Sequence, residues 1–291
     1  MYPITLTKQL DDIEICGMRL GGLKHPDFTY PWEIIDWFRK SIVQSCSSKF
    51  KSYEKARGVY VGQEVKIDEF VVLNTEQGEI IIDDGAHLYP FSYIEGPCYI
   101  GAHTEIKPHA QIRKNTSIGH HCKIGGEVSG SIFQPYTNKA HHGFVGDSYI
   151  GSWVNLGAGT TTSNLKNTYG PVRVEYPEEF KIPNSKFQIQ RIDTGMQFLG
   201  CIMGDYVKTA INTSIYTGKI LGIYAQLFGC VTENIGSFVM DTHEGKKVFE
   251  LESAIRAQKR MFERRGIEQR SVDIALLQRV FEETRHERQG L

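Results

Sequence analysis

The sequence predicts an all-β solenoid, a parallel β-helix of hexapeptide repeats with helical flanks at both ends. The first observation is an unbroken series of aliphatic residues at every sixth position: Ile82, Leu88, Ile94, Ile100, Ile106, Ile112, Ile118 and Ile124. The second is a small or compact residue four positions after each of them: Ala86, Ser92, Cys98, Thr104, Ala110, Thr116, Cys122 and Val128. A period of six fits neither a helix nor a simple strand. It fits short strands laid around a prism, with the aliphatic residue inward and three hexapeptides to a coil.

The same repeat predicts the extent of the β-helix. It shifts by two positions in the run GGEVSG and then continues in two further series: Ile132, Asn138, Phe144, Ile150, Leu156 and Thr162, then Met203, Thr209, Ile215, Leu221 and Leu227. With an early pair at Val61 and Ile67, these positions predict a β-helix over residues 59–240, of about six coils. From about 165 to 200 the repeat lapses, and the alternating runs VRVEY and FQIQRI predict a protruding hairpin with its tip at YPEEFKIPNSK. We expect this insertion to cover the active-site groove.

The two flanks carry helical patterns. Residues 1–58 form an N-terminal flank, in which the run YPWEIIDWFRKSI spaces its apolar residues like a docking helix that starts after a proline. Residues 241–291 contain two amphipathic segments, 248–264 and 271–286, with Gly266 placed to stop the first helix and Ser271 to cap the second. Because stacked coils leave open edges at both ends of a prism, these flanks are candidates for end caps.

Composition narrows the class of protein and its partners. The chain has 291 residues, a formal net charge of −1, 40% hydrophobic residues and 23% charged residues, which is typical of a soluble globular protein. This balance of charges predicts neither a nucleic-acid partner nor a membrane surface. The first residues lack a basic leader with an apolar core, and the six cysteines form no CxxC pair. We therefore expect a cytoplasmic protein with reduced thiols.

The run NKAHHGFVGDSYIGSWVNLGAGTTTSN, residues 138–164, is the candidate site. In the frame set by Phe144, His141 falls at a corner of a coil, where side chains leave the prism, whereas His142 falls in the small-residue position and is expected to point inward. Asn155, Asn164 and the glycine-rich backbone between them add polar groups on nearby turns. An isolated surface histidine is the alternative, but this polar neighbourhood favours a site with His141 as its chemical group.

This run, together with the following SNLKN and YGPVRV, resembles the acetyltransferase domain of bifunctional N-acetylglucosamine-1-phosphate uridyltransferases, particularly a divergent bacterial branch. The match extends from about residue 80 to 230, and YPWEIIDWF resembles the linker before that domain. The resemblance implies a left-handed coil and a homotrimer with active sites between subunits. It also implies acetyl-coenzyme A as co-substrate, an amino-sugar phosphate such as glucosamine 1-phosphate as acceptor, and no metal requirement for acyl transfer.

The resemblance also implies roles for individual residues. The family's general base lies three residues before an aromatic residue, which selects His141 by its spacing from Phe144, whereas counting forward from the run NKA selects His142. Carried over residue by residue, the substrate would contact Arg113, His142, Phe144 and Asn155, with Arg113 on the sugar phosphate. Asn164 would hold the reacting amine, and Glu127 could orient the histidine. The coenzyme groove would be lined by Ala158, Ala210 and Gly229.

Two departures from the family pattern and two alternatives stay open. Where the family carries an acidic residue and a phosphate-binding lysine, this chain reads SGSI at 129–132, and only about thirty residues precede the linker, too few for a uridyltransferase domain. One alternative is a metal enzyme of the γ-carbonic anhydrase kind, although the histidines of the repeat contain no His-x4-His pair. The other is a noncatalytic trimeric scaffold or regulatory subunit, which turnover measurements would exclude.

Overall fold

A left-handed parallel β-helix forms the centre of the molecule, as the sequence predicts. The computed structural model describes residues 1–42, 50, 52–177 and 189–291. The short strands stack into three flat sheets, which we call faces 1, 2 and 3 in the order in which each coil visits them. Neighbouring strands on a face are parallel, because each is the same part of the next coil.

Face 1 is a continuous nine-stranded sheet. Its strands, the first of which pairs antiparallel with the second, are Glu54–Ala56, Val59–Val61, Ile80–Ile82, Cys98–Ile100, Thr116–Ile118, Ile132–Phe133, Tyr149–Ile150, Cys201–Met203 and Lys219–Leu221. Isolated bridge pairing continues it to Ile235. The coil count is therefore about nine, and the sequence-based value of about six was too low.

Faces 2 and 3 are each interrupted near the sixth coil. The strands of face 2 are Lys66–Ile67, His87–Leu88, Glu105–Ile106, Lys123–Ile124, Asn138–Lys139, Lys208–Thr209, Gln226–Leu227, Val239–Thr242 and the antiparallel Gly245–Val248, and Asn155 bridges the two halves. The strands of face 3 are Val72–Asn74, Tyr93–Glu95, Gln111–Ile112, Glu127–Ser129 and Phe144–Gly146, followed by Thr161–Thr162, Ser214–Ile215 and Cys230–Val231.

The interior of the prism confirms the predicted repeat up to Ile124. All eight aliphatic residues of the first series are fully buried, and the eight compact residues that follow them are at most 2% exposed. They belong to one continuous apolar cluster that fills the prism. Stacked aliphatic side chains of this kind exclude water from the core and supply most of the drive for folding.

Between Ile124 and Ile150 the predicted register is wrong by one residue, whereas from Ile150 onward the predicted positions lie inward. Only four residues lead from Ile124 to Val128, instead of six, and the coil closes so that Ile124 pairs with Lys139 and Val128 with Val145. The inward side chains are therefore Phe133, Lys139 and Val145, rather than the predicted Ile132, Asn138 and Phe144. As a consequence Phe144 faces out of the prism.

The N-terminal flank packs along the outer side of face 1. Helix α1, Pro31–Trp37, continues as a π-helical turn over Phe38–Ile42, close to the predicted helix. Three single turns, Ile4–Leu6, Leu10–Asp12 and Leu20–Gly22, and a small hairpin, Glu14–Ile15 with Met18–Arg19, precede it. Their apolar side chains share a buried cluster with outward residues of face 1 such as Tyr99 and Tyr149, so this flank covers a face rather than an open end.

The C-terminal flank consists of helix α2, Leu251–Glu263, helix α3, Ser271–Glu283, and a final turn, Arg285–Arg288. It packs on the corner between faces 1 and 2, where the Phe262 ring lies 4.6 Å from that of Trp153 and the Tyr224 hydroxyl donates to the Ala254 carbonyl at 3.1 Å. Gly266, at φ +67°, follows the end of α2 as predicted. The cap of α3 is Arg270, paired with Asp273, and not Ser271, which is the first helical residue.

The predicted hairpin is present where the structure describes it. Arg173–Pro177 pairs antiparallel with Ile189–Asp193, while the predicted tip from residue 178 to 186 lies outside the described residues. Val172, Val174 and Tyr176 are buried with the N-terminal flank, and the Tyr176 hydroxyl accepts from the Tyr2 amide at 2.9 Å. The role of the hairpin as a cover of the groove stays a prediction. None of the helices in the described ranges has the length and apolarity to cross a bilayer.

Candidate active site

The corner between faces 2 and 3 carries the histidine pair. The chain turns there through Ala140, His141, His142 and Gly143, and both histidine side chains are exposed. Gly143 has φ +121°, and a Cβ on it would lie 2.1 Å from the Thr160 carbonyl oxygen. The compact position that the sequence frame gave to His142 is therefore occupied by Gly143, and the expectation of an inward His142 is wrong. The one-residue shift of register is the cause.

A cavity of about 320 Å³ opens beside this corner. Its lining residues come from face 2, from the corner itself and from the end of α2: Lys123, Asn138, Ala140, His141, Asn155, Leu156, Gly157, Ala158, Ile211 and Arg264. Three predicted site residues, His141, Asn155 and Ala158, thus meet in one cavity. Sequence reasoning missed Arg264, which it assigned to a solvated helix face.

The three predicted coenzyme-groove residues form a column at the same corner of successive coils. The Ala158 carbonyl accepts from the Asn212 amide at 2.7 Å, and the Gly229 carbonyl accepts from the Ser214 amide at 2.8 Å. Ala210 lies between them. A Cβ added to Gly157, in the coil below, would lie 2.5 Å from the Ala210 carbonyl oxygen, so the two coils are closely packed here. Exposed Ile211 borders this column. The corner therefore presents a column of small residues, bordered by the Ile211 side chain, that runs along the β-helix away from His141.

The remaining predicted residues lie on face 3, on the other side of the corner. Glu127 pairs with Phe144 on the neighbouring strand. An ideal Cβ on Gly146 would be 2.4 Å from Phe144 Cζ and 2.8 Å from Asn164 Nδ2, so the ring and the amide lie side by side over this glycine. Arg113 lies two coils below Phe144, with its Nε 3.5 Å from a Glu95 carboxylate oxygen.

Asn164 is held by a buried carboxylate. Its Nδ2 donates to Asp147 Oδ2 at 2.7 Å, and Arg39 Nη1 of the N-terminal flank lies 2.8 Å from Asp147 Oδ1. Burial raises the pKa of Asp147, while the charge of Arg39 and the hydrogen bond from Asn164 act in the opposite direction. With its NH2 group turned to Asp147, Asn164 has a side-chain carbonyl oxygen that no hydrogen bond among the described residues uses, so this oxygen can accept from a ligand.

The predicted role of Glu127 as a partner of the histidine has no support from hydrogen bonding. In the part of the chain that the structure describes, neither histidine side chain bonds to Glu127, which faces outward beside Phe144. The site is instead divided into two groups. His141, Asn155 and the Ala158 column lie on the face 2 side of the corner, and Arg113, Glu127, Phe144 and Asn164 lie on face 3.

A second group of histidines lies at the corner between faces 1 and 2. The rings of His103 and His121 are 4.9 Å apart, and His120 Nδ1 lies 2.9 Å from His121 Nδ1. Burial, with the neighbouring His120 and His103, lowers the pKa of His121 to about 4, so its ring stays neutral at physiological pH. Within residues 1–42, 50, 52–177 and 189–291 no cluster of three or more histidine, cysteine or acidic side chains is arranged to hold a metal ion.

Comparison with known proteins places these features in context. No protein-family model matches the chain. Over 215 residues it is 32% identical to the bifunctional protein GlmU of Methanocaldococcus jannaschii, and this match covers 72% of this chain and 44% of that protein. Over 154 residues it is 35% identical to a bifunctional sugar-1-phosphate nucleotidylyltransferase/acetyltransferase of Sulfurisphaera tokodaii, covering 52% and 36%. The chain thus spans less than half the length of these relatives.

Solved structures of similar chains include two acyltransferases. An Arabidopsis UDP-N-acetylglucosamine acyltransferase has a TM-score of 0.34 and 13% identity, over 80% of this chain and 88% of that one. AntD, an N-acyltransferase from Bacillus cereus in complex with dTDP and 3-hydroxybutyryl-CoA, has a TM-score of 0.31 and 12% identity, over 72% and 93%.

Proposed function

The chain belongs to the hexapeptide-repeat family of the bifunctional GlmU proteins, and from this premise we propose that it is an acyl-coenzyme A dependent N-acyltransferase. The reaction proposed is transfer of an acetyl group from acetyl-coenzyme A to the amine of an amino-sugar phosphate such as glucosamine 1-phosphate. The observation that carries the proposal is the exposed His141 in one cavity with Asn155 and Ala158, at the start of a column of closely packed backbone. This column leads to His141, beside which the thioester of acetyl-coenzyme A would have to lie.

The proposed chemistry follows from the properties of imidazole. Neutral His141 takes a proton from the substrate ammonium, since an imidazole accepts protons near neutral pH. The free amine attacks the thioester carbonyl carbon, the new C–N bond forms, and the C–S bond breaks. The coenzyme leaves as a thiolate and receives the proton from His141, while the second proton that the nitrogen loses as it becomes an amide goes to solvent. The Arg264 guanidinium in the same cavity is a cation that can stabilise the negative oxygen of the tetrahedral intermediate. No step in this scheme requires a metal.

Phosphate recognition in this proposal uses an arginine in place of the family's missing lysine. Arg113 lies on face 3 below Phe144, and its pairing with Glu95 leaves the side chain 42% exposed. Arg264 and Lys123 line the cavity on the other side of the corner, where the coenzyme would bind. Arg113, which is on the acceptor side, is therefore the better candidate for the sugar phosphate.

Homotrimer formation is part of the proposal. The acceptor group on face 3 and the coenzyme group beside face 2 lie on opposite sides of the His141 corner, so one protomer does not enclose both. A symmetric ring in which face 2 of one copy meets face 3 of the next would close each site. Light scattering should therefore give about three times the chain mass of 33.0 kDa. A mass equal to one chain at micromolar concentration would contradict this arrangement.

The test of the reaction is a screen of acyl-coenzyme A donors against amino-sugar phosphates, read by release of free thiol. We expect the highest rate with acetyl-coenzyme A and an amino-sugar 1-phosphate, and no release above background with the corresponding N-acetylated sugar. If no pair of substrates gives thiol release above the His141→Ala variant, the noncatalytic scaffold becomes the better interpretation. The cytoplasmic location and the lack of nucleic-acid or membrane partners stay predictions from the sequence.

A further inference from the structure

A lysine occupies a position in the prism core that an aliphatic residue holds in the coils below. Lys139 is paired with Ile124, which is paired with Ile106, and all three side chains point inward. Lys139 is only 2% exposed. A charged side chain in such a place is costly unless polar partners replace water.

The partners of the Lys139 ammonium are the backbone of two successive corners. Nζ donates to the Gly125 carbonyl at 2.8 Å and to the His141 carbonyl at 3.0 Å. A Cβ on Gly126 would lie 2.7 Å from Nζ, so a glycine at φ +68° makes room for the amine. The lysine therefore ties the main chain of His141 directly to the coil beneath it.

The shortened side of the fourth coil explains why this tie is needed. Between Ile124 and Val128 the corner has lost two residues relative to the repeat, and the histidine corner above it keeps its full length. Other levels of this corner are joined by a backbone amide, as from Gly159 to the His142 carbonyl at 3.0 Å and from Asn212 to the Ala158 carbonyl at 2.7 Å. At the step below His141 backbone amides join only the two ends of the corner, from Gly125 to the Lys139 carbonyl at 2.6 Å and from Glu127 to the Gly143 carbonyl at 3.0 Å, and the Lys139 ammonium adds the connection between them.

Stability does not explain the choice of lysine. Burial lowers the pKa of Lys139 to about 8, from 10.5 for a lysine in water. A lysine with a lower pKa in the folded chain than in the unfolded chain weakens folding while it is charged. This penalty is full below about pH 8 and is relieved as the pH rises toward 10.5. An apolar residue at this position would avoid the penalty at pH 7 and continue the aliphatic stack.

We propose that Lys139 is a positioning residue of the active site, which fixes the main chain of His141 so that the imidazole stays in the cavity with Asn155 and Ala158. The inference rests on the proposed function for its kinetic consequence. It makes a combined prediction that a residue serving only the fold would not meet: removing the ammonium lowers turnover and loosens the main chain of the His141 corner, while a distant corner is unchanged.

The test compares Lys139→Met with Ile106→Met, which places the same side chain on the same face under a different corner. For Lys139→Met we expect a melting temperature that falls relative to that of the wild type between pH 8 and 10, because only the wild type gains stability as the buried ammonium loses its proton. We expect kcat to fall by about tenfold, as for a misaligned reacting group, with the KM for acetyl-coenzyme A within about twofold. Ile106→Met should keep the wild-type kcat.

A measurement that does not depend on turnover separates this inference from the proposed reaction. Hydrogen–deuterium exchange of the backbone over residues 138–146 should become faster in Lys139→Met, while exchange over the equivalent corner at 206–213 stays the same. Unchanged exchange at 138–146, or a wild-type kcat in Lys139→Met, would overturn the positioning role. If the wild type transfers no acyl group, the reaction is wrong and the exchange result still decides the role of Lys139. If the variant does not fold, the wild type should lose protection at 138–146 relative to 206–213 as Lys139 loses its proton above about pH 8, after correction for the base-catalysed rise of exchange at all amides, and equal protection at the two corners would overturn the role.

Discussion

Replacing His141 with alanine should lower kcat by at least roughly a hundredfold, because general-base catalysis typically contributes 10²- to 10⁴-fold. The side chain is exposed at a corner and lines the cavity, so its loss leaves no buried gap, and both the fold and coenzyme binding should be retained. Raising the pH should restore part of the rate, since an amine that is already deprotonated needs no base. The measurement is a pH profile of thiol release, with coenzyme affinity determined separately.

His142→Ala is the matched control for this variant. His142 is exposed as well, but it is not among the residues that line the cavity, and its carbonyl is bound by the Gly159 amide whatever its side chain. We expect this variant to keep most of the wild-type kcat. A larger loss of kcat with His142→Ala than with His141→Ala would make His142 the general base, which is the residue that counting forward from the run NKA selects.

The sequence predicts the prism well because the repeat is set by local packing. Each of the eight aliphatic residues up to Ile124 lies inward, since one side of the prism needs six residues and one large apolar side chain. The register beyond Ile124 could not be predicted in the same way. Glycines at 125 and 126 allow a corner to close with fewer residues, and the pattern alone does not show how many are lost.

The candidate site was predicted in part for a related reason. Asn155 and Ala158 follow His141 by about one coil in the sequence. The period of the repeat therefore stacks the three residues beside one corner. Arg264 and Arg39 come from flanks more than a hundred residues away in the sequence. Nothing in the period of the repeat indicates where a flanking helix packs, so contacts of this kind become visible only in the folded chain.

The second large effect is expected for Asp147→Asn, which should impair use of the amino sugar because Asp147 joins Arg39 to Asn164. An asparagine at this position would turn its carbonyl oxygen to Arg39, because a guanidinium only donates hydrogen bonds. Its NH2 group would then face Asn164 and force that amide to rotate. Asn164 would present a donor, instead of an acceptor, to the substrate ammonium. We expect kcat/KM for the amino sugar to fall by about 10- to 100-fold, the range for loss of a polar contact at a reacting centre.

Asp205→Asn is the control that removes a similar ion pair without touching the site. Asp205 also binds the N-terminal flank, with its Oδ1 3.1 Å from Lys8 Nζ, and it is 7% exposed. If Asp147 acts through the Asn164 amide, Asp205→Asn should keep kcat/KM, and Asp147→Asn should add little to the loss caused by Asn164→Ala. Equal kinetic losses in the two aspartate variants would mean that docking of the flank, rather than orientation of the amide, limits the reaction.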